Sequence, residues 1–349
     1  MDLRVLRYAG PFAFALSIPA LFYLGGPVTP VLTVLLLLAA LIGAEGVSPR
    51  GAVPLAPPRV RSFRLLPSLY VPVQLGVILW AVSVARAVDA AAFAALALSV
   101  GVTSGVFGML AAHELVHGHN RTEHALGLAL LTGMSYRHFR VAHIFGHHRW
   151  AATARDPATA RLGEGFYVFL GRTVVGQFAD AWRIENRRIA ARRLSPLRHR
   201  ILGDLATMAA VFAAVVLAFG WPGAALFAAQ SAVGIVVLEL FNYIAHYGLA
   251  RAAWPSGREP FTERHSWNSS NVAANALIFN MGRHSYHHTR PAESYQSLQW
   301  VADAPELPAG YAGSILLALV PPLWRRIMDP AVQRLHTAGS EAPASRALA

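Results

Sequence analysis

Along the chain, apolar residues gather into six long runs, and polar residues are pushed into the gaps between them. A spanning helix needs about 20 mostly apolar residues to cross a hydrocarbon core of roughly 30 Å. The runs are 8–24, 28–44, 67–87, 90–112, 201–220 and 224–244. They pair into three hairpins with minimal turns at Gly25-Gly26-Pro27, around Asp89 and at Trp221-Pro222-Gly223. The pattern predicts an all-α integral membrane protein with six transmembrane helices. Spans 1–4 fall in 1–112 and spans 5–6 in 201–246, all within one membrane-embedded domain over 1–349. Two polar segments, 113–200 and 247–336, would lie outside the bilayer. The stretch 313–324 is apolar but too short to span and reads as an interfacial or packed helix. The tail 337–349, rich in Ala, Ser and Pro, reads as disordered.

Composition sharpens this picture. Only 14% of the 349 residues are charged against 55% hydrophobic, where a soluble domain carries about 25% charged residues. All 30 basic residues are Arg, against 18 acidic residues. If the spans alternate, 29 of the 30 arginines fall on one side, and only Arg86 sits at a turn on the other. The positive-inside rule then puts both termini and both polar segments in the cytoplasm, and explains the net charge of +12 without nucleic acid. The first span is followed by another span and by no small-residue cleavage site, so it is expected to be retained. Cysteine is absent, which removes disulfides, thiolate zinc sites, Cys-held iron–sulfur clusters and a Cys nucleophile.

The 15 histidines carry the candidate chemistry. His113 and His117 stand in His-Glu-Leu-Val-His, and an i, i+4 pair shares one helix face. This is also the H-E-x-x-H pattern of zinc proteases, in which Glu114 would be the base. His143, His147 and His148 form a second cluster, and His284, His287 and His288 a third; their spacing lets one turn serve two neighbouring metals. His246 ends the sixth span at the same membrane face. One zinc uses about four ligands, so nine imidazoles suit two ions with four or five nitrogens each. Imidazole accepts Zn, Cu, Fe or Ni, and the spacing alone names none of them. His119, His124, His138 and His265 fit surface or supporting roles, whereas His199 and His336 lie in basic or tail segments.

These clusters resemble the integral-membrane desaturase/hydroxylase superfamily, and within it the bacterial alkane 1-monooxygenases. The resemblance extends over roughly 66–330 and includes Ala152-Thr153, Asp156-Pro157-Ala158-Thr159-Ala160-Arg161, Asn242-Tyr243, His246-Tyr247-Gly248-Leu249, His265-Ser266-Trp267-Asn268-Ser269 and Tyr295-Gln296-Ser297-Leu298. The His-Tyr-Gly element separates such hydroxylases from acyl desaturases. Three positions depart from the pattern. Ala142 and Ala245 stand where Glu usually precedes a ligand histidine, and Tyr286 replaces an Asp inside the third cluster. Acids left to orient a ligand are Glu114, Asp156, Glu239 and Glu263.

The resemblance implies two non-haem irons on His113, His117, His143, His147, His148, His246, His284, His287 and His288. It implies oxygen activation there and hydroxylation of the terminal methyl of an alkane-like, lipid-dissolved substrate. It further implies rubredoxin and its NAD(P)H-fed reductase as electron donors, and a bacterial inner membrane as the location. Arg187, Arg188, Arg192 and Arg193 could dock an acidic carrier. Within the superfamily, hydroxylation of alkyl-aromatic methyl groups or action on fatty acyl chains is the alternative. A membrane zinc protease would need only His113, Glu114, His117 and one more ligand. A metal transporter would want ionisable residues near mid-bilayer, where the spans offer almost none.

Overall fold

A single segment of backbone in an apolar surrounding satisfies its own N–H and C=O groups by forming a helix. The computed structural model describes residues 3–51, 61–118, 120–254 and 257–340, and each of the six apolar runs falls on helix. The first two runs become α1 (Gly10–Gly25) and α2 (Val31–Val47), turned by Gly26 at φ 101°, a left-handed value that suits glycine. The third becomes α3 (Arg61–Val84). The fourth is α4 (Ala90–Thr103), a π turn over Ser104–Gly108, and α5 (Met109–Val116). Asp89 starts α4 by accepting the Ala92 N–H at 2.8 Å. The last two runs form the halves of α10 (Arg200–His246).

At 47 residues α10 would be about 70 Å long if straight, more than twice the hydrocarbon thickness. It breaks at Gly220 (φ 69°, ψ −173°), two residues before Pro222, which has no N–H to give. Arg86, the arginine off the majority side, donates its Nε–H to the Phe219 carbonyl at 2.9 Å and so caps the break. The turn after α3 and the turn inside α10 therefore sit at one end of the bundle. Three helical stretches, 62–84, 90–116 and 200–246, are long and apolar enough to cross a membrane, while α1 and α2 are shorter apolar helices.

The helices α4 and α10 approach closely because glycines line their seam. A Cβ on Gly101 would lie 2.5 Å from Val233 Cβ, and one on Gly105 2.6 Å from the Gly234 carbonyl. A buried polar chain stitches the same region. The Tyr70 hydroxyl donates to Gln74 at 2.6 Å, Gln74 Nε2 to Ser104 Oγ at 2.8 Å, and Ser104 Oγ to Gln230 at 3.1 Å.

Outside the bundle, α6 (Arg121–Gly133) leads through α7 (Phe139–Val141) and a second π turn, Ala142–His147, into α8 (His148–Trp150). The amphipathic α9 (Phe166–Ala191) lies against this π turn and α10. After α10 come α11 (Val272–Leu277), α12 (His284–Thr289), α13 (Gly310–Ala318) and α14 (Pro321–Ser340). The all-α expectation has one small exception among the described residues, an antiparallel ribbon of β1 (Ala253–Trp254) and β2 (Gly257–Arg258). The apolar stretch 313–324 is two helices rather than one, parted before Pro321-Pro322. Its Trp324 is buried against Tyr243 and Tyr247. The segment expected to be disordered from Thr337 is helical as far as Ser340, and 341–349 lie outside the described residues, as does His119.

Candidate metal centre

Four separate stretches of chain deliver nine histidines to one place. They supply His113 and His117 from the end of α5, and His143, His147 and His148 from the second π turn and the start of α8. His246 comes from the end of α10, and His284, His287 and His288 from α12. They sort into two groups. His113, His117, His143, His148 and His287 bring one nitrogen each to within 4.8 Å of one another, as do His147, His246, His284 and His288. Each consecutive pair, 147–148 and 287–288, gives one ring to either group.

The π turn explains a pairing that an α-helix would not give. It closes hydrogen bonds from i to i+5 and so brings residues five apart onto one face. His143 and His148 are five apart, and their Nε2 atoms lie 3.0 Å from each other. Those of His117 and His148, and of His148 and His287, are 3.2 Å apart. In the second group, the 284–288 and 147–288 separations are 3.1 and 3.2 Å.

These spacings fit a cation in each group. A metal–nitrogen bond of about 2.1 Å places neighbouring octahedral ligands about 3.0 Å apart. Buried His113 has no hydrogen-bond partner at either ring nitrogen among the described residues, which is costly without a ligand. Burial holds His143, His148, His287 and His288 well below the usual imidazole range, and His284 down to about 3; neighbouring histidines add to the effect. Neutral imidazole is the form that binds metal.

Of the four acids expected near the ligands, only Asp156 meets one. Its Oδ2 lies 2.8 Å from His147 Nδ1 and also accepts the Thr159 hydroxyl at 2.7 Å, while Oδ1 accepts the Ala158 N–H. Glu114 accepts the Tyr295 N–H, Glu239 sits among Tyr136, Thr173, Gln177 and Asn242, and Glu263 takes Thr289 and Arg290. Two aromatic supports were not singled out from the sequence. Phe139 stacks on His143 at 4.7 Å between centroids and Phe261 on His288 at 4.8 Å. The signal for Phe139 is its place four residues before the ligand, one helical turn away. His138 lies between the Tyr136 and Phe178 rings, His265 accepts the Thr262 N–H, and His199 caps α10. None of these three joins either group.

The three departures have distinct surroundings. Ala142 packs with Ala181 and Ile201 beneath α9. The Tyr286 hydroxyl is turned to Glu293, and Arg290 lies over its ring. Ala245 lines an apolar cavity of about 50 Å³ together with Met109, Leu110, Phe139, Phe241 and Met281. His113, His143 and His284, taken from both groups, form part of the same wall.

The fatty acid desaturase family model matches residues 90–315. The chain is 36% identical over 312 residues to alkane 1-monooxygenase 2 of Pseudomonas aeruginosa, covering 87% of this chain and 82% of that protein. It is 38% identical over 283 residues to alkane 1-monooxygenase 1 of the same organism, covering 79% and 74%. A more distant relative is the xylene/toluene monooxygenase hydroxylase component of Pseudomonas putida, 28% identical over 239 residues, covering 65% and 61%.

Proposed function

The chain belongs to the fatty acid desaturase family and, within it, to the alkane 1-monooxygenases, and on that premise we propose that it hydroxylates the terminal methyl of alkanes at two histidine-held irons. The observation that carries the reading is the apolar cavity walled by ligand candidates of both groups. A methyl group offers no acid–base handle. The protein's share is to hold that methyl beside the metals and keep water away. When bound, the irons would supply the oxygen activation and one-electron chemistry that side chains lack.

In this reading His113, His117, His143, His148 and His287 hold one iron, and His147, His246, His284 and His288 hold the other. Met109, Leu110, Phe139, Phe241 and Met281 grip the alkyl chain by burial, about 0.8 kcal/mol per methylene. Asp156 fixes the tilt and tautomer of His147. With no cysteine in the chain, electrons come from a separate carrier, which we take to be a rubredoxin fed by its reductase from NAD(P)H. We place the protein in the bacterial inner membrane with six spans in 1–112 and 201–246. Segments 113–200 and 247–336, and both termini, would then be cytoplasmic.

The test is metal analysis and product identification on detergent-purified protein given an electron-delivery system and n-alkanes of graded length. Two irons per chain and primary alcohols are expected; one zinc and no iron would overturn the reading. Oxidation of methyl groups on aromatic rings is the second reading, favoured by the small Ala245 beside the metals and the relationship to the xylene/toluene enzyme. Xylene in the same panel separates the two.

A further inference from the structure

Terminal hydroxylation is demanding in water as well as in hydrocarbon. Alkane, O2, two electrons and two protons give alcohol and one water, so each turnover must import two protons and export a water molecule. An apolar cavity stays dry and offers no hydrogen-bond partners along which either could travel. The cavity walled by Met109, Phe241 and Ala245 is therefore suited to the alkyl chain and unsuited to this traffic.

A second cavity, of about 40 Å³, room for a water or two, meets the five-histidine group at two other ligand candidates, His117 and His287. It shares no lining residue with the apolar cavity. Its wall holds Glu114, Glu123, Glu293 and Arg64. Arg64 is paired with Glu123 and is partly open to solvent, and Glu293 engages the Tyr286 hydroxyl at 3.3 Å. Ala292 is exposed on the same wall, so the cavity has a solvent-facing side as well as a histidine-facing one, and Glu293 and Ser294 follow Ala292 in its lining.

We propose that this polar cavity is the port by which protons reach the five-histidine group and product water leaves it, separate from the path of the alkane. The proposal rests on the monooxygenase reading and adds to it a division of labour between two faces of one metal group.

The test uses the full-length protein in detergent with its electron donor. Ala292→Phe places a ring on the exposed wall of the cavity, where the fold has little to lose, and Glu293→Leu removes an acid from the wall. With iron content matched to the unsubstituted protein, kcat is expected to fall roughly tenfold in each, less than the roughly 10²- to 10⁴-fold that losing a general acid or base outright costs, because other acids of the wall remain. The KM for alkane should hold, and the solvent deuterium isotope effect on kcat should rise. Without turnover, in protein loaded with Mn2+ in place of iron, the relaxation of bulk-water protons by the metal should weaken in Ala292→Phe, because water reaches the group more slowly; unchanged relaxation would overturn the port. Unchanged kcat and isotope effect in both variants would overturn the port alone. A raised alkane KM at constant kcat would also overturn it, by making the cavity a substrate site. No alcohol from the unsubstituted protein would overturn the monooxygenase reading and the port with it.

Discussion

Asp156 shows how much a single side chain can be asked to do at this centre. It is buried, and its two oxygens hold His147, Thr159 and the Ala158 N–H in one arrangement. Asn at this position keeps the size but presents a poorer acceptor to His147 Nδ1–H. Asp156→Asn should weaken metal retention by about 10- to 100-fold, read as iron lost during dialysis against a graded chelator series. Two metals retained as firmly as in the unsubstituted protein would show that His147 needs no such anchor. The nine histidines were legible because few other roles explain such spacing of imidazoles. Asp156 was legible only as one acid of four, since the loop that swings it under His147 follows from tertiary contacts. The division of the rings into five and four was not legible, because it depends on which way each consecutive pair splays.

At the scale of elements, the six apolar runs were readable for a physical reason: long apolar backbone has no partner but itself. The π turn that carries the second histidine cluster was hidden, because the spacing of His143 and His147 fits an α-helix as well. The turn packs closely against α9. Gly146 has no Cβ, and one added there would lie 2.7 Å from Asp180 on α9. The junction of α9 with α10 is held by Glu185, fully buried between Arg188 and Arg200, with the Arg200 Nε–H donating at 2.8 Å. Burial alone would raise the Glu185 carboxyl, but hydrogen bonds from both arginines outweigh it and lower the group to about 2. The folded state thus binds this proton more weakly than the unfolded chain, where a Glu titrates near 4.3. Its stabilisation is present above about pH 4.3 and is lost as pH falls towards 2. Glu185→Gln should cost about 1–3 kcal/mol at pH 7. The Tm gap between variant and parent in detergent should narrow from pH 5 to pH 3, and a gap independent of pH would refute the ion-pair account.

Across the whole molecule, charge is arranged as deliberately as apolar surface. Of the arginines expected to dock a carrier, Arg188 is committed to Glu185. A better-placed group surrounds Trp150, two residues after His148. The Arg155 and Arg258 guanidiniums lie 3.7 and 3.6 Å from its ring centre, so they must take opposite faces, and Arg149 adds a third at 5.1 Å. Among the described residues none of the three forms an ion pair. Behind them, Arg251 lies over Phe261, which stacks on His288, so this surface approaches both histidine groups. An acidic electron carrier seated there would be drawn by long-range attraction, which salt screens. Turnover at limiting carrier should fall at least tenfold between about 0.05 and 0.5 M salt, and Arg155→Ala with Arg258→Ala should flatten that dependence. A salt response identical in the double variant would move the carrier elsewhere.

The nine histidines span 113 to 288, and the two groups join four stretches of chain that are otherwise connected through long loops and a broken helix. Two ions bound there would act as clasps, each removing the freedom of loops tens of residues long from the unfolded chain. Loading and folding then become one event: a chain that meets no metal lacks the fastening between its second histidine cluster and α12. Metal supply would govern how long each molecule lasts in its membrane, and not only how fast it turns over.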